Sequence, residues 1–160
     1  MPLDSDLVLL TTTTLDSNSD GNGSGSDETT APGAVVSIEE EADLDILLFL
    51  KASDTAGEPG DADTLDVAVG VSVDGGTNWG VLADFRQILG SEVPDDTTAG
   101  DKTLRLAIQA RSPRADSGQS NLVKVRPQTT ASDTSNWAVY LAVAPRGTAR
   151  SEWLAQAIQN

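Results

Sequence analysis

The feature that most constrains this chain is a strict alternation closed by a glycine turn. From Thr64 to Leu89 the sequence reads TLDVAVGVSVDGGTNWGVLADFRQIL. Leu65, Val67, Val69, Val71 and Val73 fall on one side of an extended chain, and Asp66, Ala68, Gly70, Ser72 and Asp74 on the other. A period of two with one apolar face predicts a strand half-buried in a sheet. The strand runs into Asp74-Gly75-Gly76, where two glycines can take positive φ without a Cβ clash, and the chain returns through Asn78-Trp79-Gly80-Val81-Leu82. A tight β-hairpin is the expectation, and any fold for the chain has to contain it.

The turn carries a second signal. Ser72-Val73-Asp74-Gly75-Gly76-Thr77-Asn78-Trp79 resembles the Asp-box, Ser-x-Asp-x-Gly-x-Thr-Trp, with Asn78 at the position that motif gives to Thr. The resemblance implies that Asp74 accepts hydrogen bonds from turn amides and that Trp79 packs over the hairpin, so both are braces and neither is catalytic. Asp-boxes recur blade after blade in sialidase propellers. No second copy occurs here, and 160 residues are too few for several four-stranded blades, so the glycosidase reading is set aside.

Alternation recurs along the chain. Asp6–Thr14 reads as a strand or as an extended arm able to join a neighbour's sheet edge. Ala34–Ile38 is a short apolar run. Leu44, Ile46, Leu48 and Leu50 form one face of a strand whose other face holds Leu47 and Phe49, which predicts a central position buried on most of both sides. Ala83–Leu89 fits a helical turn or a bent strand end equally. Thr103–Arg111, Asn121–Arg126 and Ser135–Ala144 each alternate again, the last ended by Pro145. The tail, 148–160, suits an amphipathic helix with Ser151 as N-cap and Trp153, Leu154, Ala157 and Ile158 together. About seven strands between acidic Gly/Ser/Asp loops predict an all-β, antiparallel β-sandwich or jelly roll. Its parts are an N-terminal arm and loop at 1–33, a sandwich at 34–147 and a tail at 148–160.

Composition narrows the chemistry. The chain has no cysteine and no histidine, which removes disulfides, thiol nucleophiles, Ser-His-Asp triads and the usual zinc sites, and no enzyme activity or cofactor is expected. The acidic start MPLDSDLVLL has no basic region before its apolar run and is not read as a secretory signal. No apolar stretch approaches the ~20 residues of a helical span, so no membrane is expected as a partner. A net charge of −15 opposes nucleic acid as a partner. That charge is unevenly placed: residues 1–101 hold 22 of the 25 acids and two of the ten bases, a net of −20, against +5 in residues 102–160. Such a division either separates acidic and basic surfaces, favouring head-to-tail contacts between copies, or vanishes where strands of the two halves interleave.

Two acidic segments invite a cation. Asp16, Asn18, Asp20, Gly21, Asn22, Ser24 and Asp27 fall at EF-hand-like loop positions, with glycine at the sharp turn. The flanks do not read as helices, however, and Asp/Asn/Gly/Ser linkers produce such matches, so no metal site is expected. Glu39-Glu40-Glu41 reads as a solvated loop or strand end.

The run from Ser72 to Leu89 also resembles the Ser-x-Asp-Gly-Gly-Thr-x-Trp hairpin, followed by Leu and Phe, of β-sandwich domains in tailed-bacteriophage virion proteins. In size, acidity and lack of cysteine the chain is most like capsid decoration (cement) proteins. The resemblance implies a protein made in the host cytoplasm that acts on the outer surface of the virion. It would be a homo-oligomer, expected to be a trimer, bound to the major capsid protein. Apolar termini beyond polar hinges, with Leu7, Leu9 and Leu10 at one end and Trp153, Leu154 and Ile158 at the other, are the expected partner-binding residues, dispensable for the fold itself. A tail or head-tail adaptor protein is the first alternative, and a calcium-dependent carbohydrate-binding sandwich the second.

Overall fold

The computed structural model describes residues 8–15, 35–52, 59–93, 104–116, 123–132 and 136–147. Nine strands are assigned among them: β1 (Val8–Leu15), β2 (Val36–Ile38), β3 (Asp43–Ala52), β4 (Thr64–Ser72), β5 (Gly80–Asp84), β6 (Ile88–Leu89), β7 (Leu104–Arg111), β8 (Val123–Ala131) and β9 (Trp137–Pro145). One sheet has the order β1-β9-β3-β7. The other has β2-β8-β4-β5, with β6 continuing β5 along β4. All pairings are antiparallel. Counting β5 and β6 as one bent strand gives eight strand positions, and successive strands largely alternate between the sheets, which is the winding of a jelly roll.

The period-two pattern does the sorting. Leu65, Val67 and Val69 of β4, Ile46, Leu48 and Leu50 of β3, and Trp137, Val139, Leu141 and Val143 of β9 are buried together between the sheets. β3 and β9 are the central strands of the first sheet, as the apolar character of both faces of β3 predicts.

Four expectations are corrected or decided here. First, Val8–Leu15 pairs with β9 of its own chain, and Leu9, Leu10 and Leu15 are buried in the core. Leu9 and Leu10 are therefore core residues and not a partner-binding arm, and the sandwich begins at β1 rather than at residue 34. Of the two readings of the β-branched, apolar run, strand or extended arm, the structure shows the strand, and a single sequence does not say whose sheet such a strand completes. Second, β8 runs through Pro127 to Ala131, well past Arg126. Among the described residues β2 flanks β8 only at Val123–Val125, and no described strand lies beside Pro127 on that side, which suits a residue confined to strand edges. Third, the segment after Leu82 is a bent strand: Phe85 and Ile88 are buried while Leu89 points out. Fourth, the described strands of the two charge halves interleave. Basic-half strands β9 and β8 lie between β1 and β3 and between β2 and β4, and Arg111 and Arg146 both reach Asp43, at 3.4 and 3.6 Å.

Candidate functional site: the braced hairpin and its arginine

β4 ends at Ser72, the chain turns through 73–79, and β5 returns from Gly80. Gly75 and Gly76 have φ of +78° and +102°, conformations closed to most side chains, which fixes why the sequence has glycine at both. Asp74 organises the turn. Its Oδ1 accepts from the Ser72 hydroxyl at 2.7 Å, the Thr77 amide at 3.0 Å and the Asn78 amide at 2.9 Å. Its Oδ2 accepts from Asn78 Nδ2 at 2.6 Å. Asn78, the one departure from the motif, thus adds a bond to the same carboxylate. The Gly76 amide donates to Ser72 Oγ at 2.8 Å, and Trp79 Nε1 donates to the Gly76 carbonyl at 3.0 Å. The donors of Asn78 and Ser72, acting on the charged form, hold the Asp74 carboxyl at about 2, below an ordinary 3.8. A carboxylate held this far down and filled with donors is a brace with no capacity as a general base.

Trp79 has a partner that sequence reading missed. The Arg126 guanidinium of β8 lies 4.3 Å from the centroid of its ring. Between them runs β4, and register places Arg126 beside Gly70. A Cβ at Gly70 would come within 3.4 Å of Arg126 Cγ and 2.8 Å of Gln128 Nε2. Glycine at 70 therefore leaves the outer face of β4 open for both side chains to lean across. Arg126 Nε is buried without a hydrogen-bond partner, as suits a guanidinium lying against a ring rather than pairing with a carboxylate. The available signal was the break in side-chain size at Gly70 within a valine-rich strand, but the strand opposite it is more than fifty residues away in sequence.

The other candidates among the described residues hold structural bonds. Glu39-Glu40-Glu41 forms an exposed turn before β3, with Glu41 at φ +53° and Glu40 accepting from the Ala115 amide at 2.9 Å. Ser112 fastens that turn: its hydroxyl donates to the Glu39 carbonyl and accepts from the Ala42 amide. A cleft of about 420 Å³ opens beside it, lined by Ile38, Glu39, Asp43, Leu44, Val143 and Pro145 among others. Among the described residues no three acids are grouped as metal ligands. Asp16, Asn18, Asp20 and Asp27 lie outside the described residues, as do Leu7, Trp153, Leu154 and Ile158.

Neither the family models nor the curated proteins give a match. A solved structure of the CBM22-1 and GH10 modules of Clostridium thermocellum N-terminal endo-1,4-β-D-xylanase 10B, complexed with xylohexaose, is similar at 10% identity and a TM-score of 0.41. The match covers 91% of this chain, which spans only 26% of that one. So low a TM-score assigns neither ligand nor activity, and the sandwich stands on its own strand pairings.

Proposed function

We propose that the chain is a structural virion protein of a tailed bacteriophage, a decoration protein that sits as a homotrimer on the outer surface of the major capsid protein lattice and clamps adjoining subunits. The observation that supports it is the hairpin. Ser72, Asp74, Gly75, Gly76 and Trp79, the residues shared with sandwich domains of phage virion proteins, all serve to stiffen one turn, and Arg126 ties that turn to the sheet. A rigid sandwich suits a clamp under mechanical load. The surface we assign to the lattice is the β5–β6 edge, because the two exposed large apolar side chains of the described residues, Val81 at 62% and Leu89 at 40%, both lie on it.

Cosedimentation with expanded, emptied capsids of the source phage tests the proposal. Saturable binding, with the chain trimeric in solution, is the expected result. A monomer that stays in the supernatant overturns it.

A further inference from the structure

Among the described residues the two sheets present four edge strands, β1 and β7 on the first, β2 and β5 on the second. A strand edge offers N–H and C=O groups to any extended chain that meets it, and proteins blunt such edges by shortness, bulges, proline or inward charge. Three of these four are blunted. β2 is three residues long, and past its pairing β8 carries Pro127. β5 holds Leu82 as an extra residue between the Val69–Ala83 and Gly70–Val81 pairs. β1 shifts register twice against β9. β7 has none of these devices. It pairs with β3 in unbroken register from Leu104 to Arg111 and contains no proline, and its inward residues Leu104, Leu106, Ile108 and Ala110 carry no charge. No described strand lies on its other side. The core is also unfinished there. On β3, Ile46, Leu48 and Leu50 are 0% exposed and Leu44 is 7% exposed. Their β7 neighbours Ile108, Leu106, Leu104 and Ala110 face the same core but are only half-buried. One strand spacing therefore takes the inner face from closed to open.

Charge says what fits this edge. β7 has two arginines and no acid. Arg111 reaches Asp43 of β3 at 3.4 Å. Arg105 lies beside Phe49 instead, and its Nε is buried with no hydrogen-bond partner. We infer that β7 is a docking edge for an extended, acidic segment of a partner protein, which adds antiparallel as a fifth strand of the β1-β9-β3-β7 sheet. Apolar side chains at alternate positions of that segment cover Leu104, Leu106, Ile108 and Ala110, and a carboxylate opposite Arg105 supplies the acceptor that β3 does not. β3 displays the same pattern on the side already filled, with Asp43 opposite Arg111 and Leu44, Ile46, Leu48 and Leu50 opposite the four apolar residues. A second copy fits less well. Two β7 strands side by side would set four arginines along one seam, between bodies of −15 each. The inference does not depend on the proposed virion role.

The probe is the capped peptide Glu-Val-Thr-Val-Thr-Val-Glu-Val. Laid antiparallel, it sets glutamate opposite Arg105 and Arg111 and valine opposite Leu104, Leu106, Ile108 and Ala110. The control peptide has lysine at both glutamate positions. The full chain is titrated with each at physiological salt, and amide exchange is followed by NMR. The expected result is saturable binding of the acidic peptide, with exchange slowed at alternate amides of β7 and unchanged in β1, β2 and β5. The control should bind more weakly by about tenfold or more. Net charge alone would order the two peptides the other way, since a chain of −15 attracts the lysine peptide. In Arg105→Glu the order should reverse, and a folded variant that keeps the parent's preference overturns the inference. So does binding of neither peptide by the parent chain, equal binding of both, or protection confined to other strands. Protection of β7 that grows with protein concentration in the absence of peptide would assign the edge to a second copy and overturn it as well.

Discussion

At the scale of single residues, Asp74 and Arg126 carry the most. Because donors from Asn78 and Ser72 lower the Asp74 carboxyl to about 2, its contribution to stability is complete above the unfolded value near 3.8 and is lost as pH falls through about 2. Asp74→Ala removes the acceptor of four donors, so its Tm at neutral pH is expected to drop by several degrees. The gap between variant and parent should then narrow as the unfolding series is carried from pH 4 to pH 2. A gap that is constant across that range would show that the ionised carboxylate is not what braces the turn. For Arg126→Ala the guanidinium–ring contact is lost from a side chain that is only 9% exposed, and the expected cost is about 1–2 kcal/mol, read by chemical denaturation. Gly70→Val should reproduce much of that loss by pushing Arg126 and Gln128 aside, with the Trp79 indole resonance shifting in both variants.

Among elements, β1 is the one whose role changes most between sequence and structure. Leu9, Leu10 and Leu15 are fully buried against β9 and the sheet opposite, so Leu10→Ala should cost about 2–5 kcal/mol. Removal of residues 1–15 should abolish cooperative unfolding, rather than leave a folded sandwich without an arm. A truncated chain with an unchanged thermal transition would return β1 to the status of a free arm. This difference marks what a single sequence conveys. Strand identity and facing were legible in β3, β4, β7 and β9, because burial on one side imposes a period of two that the residues display directly. The turn was legible because Asp74, Gly75 and Gly76 each answer a local demand of backbone and hydrogen bonding. What could not be read were contacts set by strand order. The seat of β1 beside β9, the place of Pro127 beyond the described β2 pairing, and the reach of Arg126 over Gly70 to Trp79 all depend on which strand lies next to which. Nothing local to Arg126 distinguishes it from Lys124, two residues earlier on the same face.

At the scale of the whole molecule, the interleaving of acidic-half and basic-half strands among the described residues opposes the simplest route to assembly, a positive face meeting a negative one. With −15 overall, copies of the chain repel one another, so the proposed association rests on apolar contact. Under the proposed decoration role, that puts the weight of lattice binding on the β5–β6 edge. Burying one Val or Leu side chain is worth about 1.5–3 kcal/mol, and each 1.4 kcal/mol is tenfold in affinity. Val81→Asp and Leu89→Asp, which alter exposed positions and should leave Tm nearly unchanged, are therefore each expected to weaken cosedimentation with capsids about tenfold or more, and the pair by more than either alone. Raising the salt concentration should strengthen binding of the parent chain modestly, since it screens repulsion between acidic copies without touching the apolar contact. Binding that falls steeply with salt, or that survives both substitutions, would mean that charge and not this edge attaches the protein to the lattice.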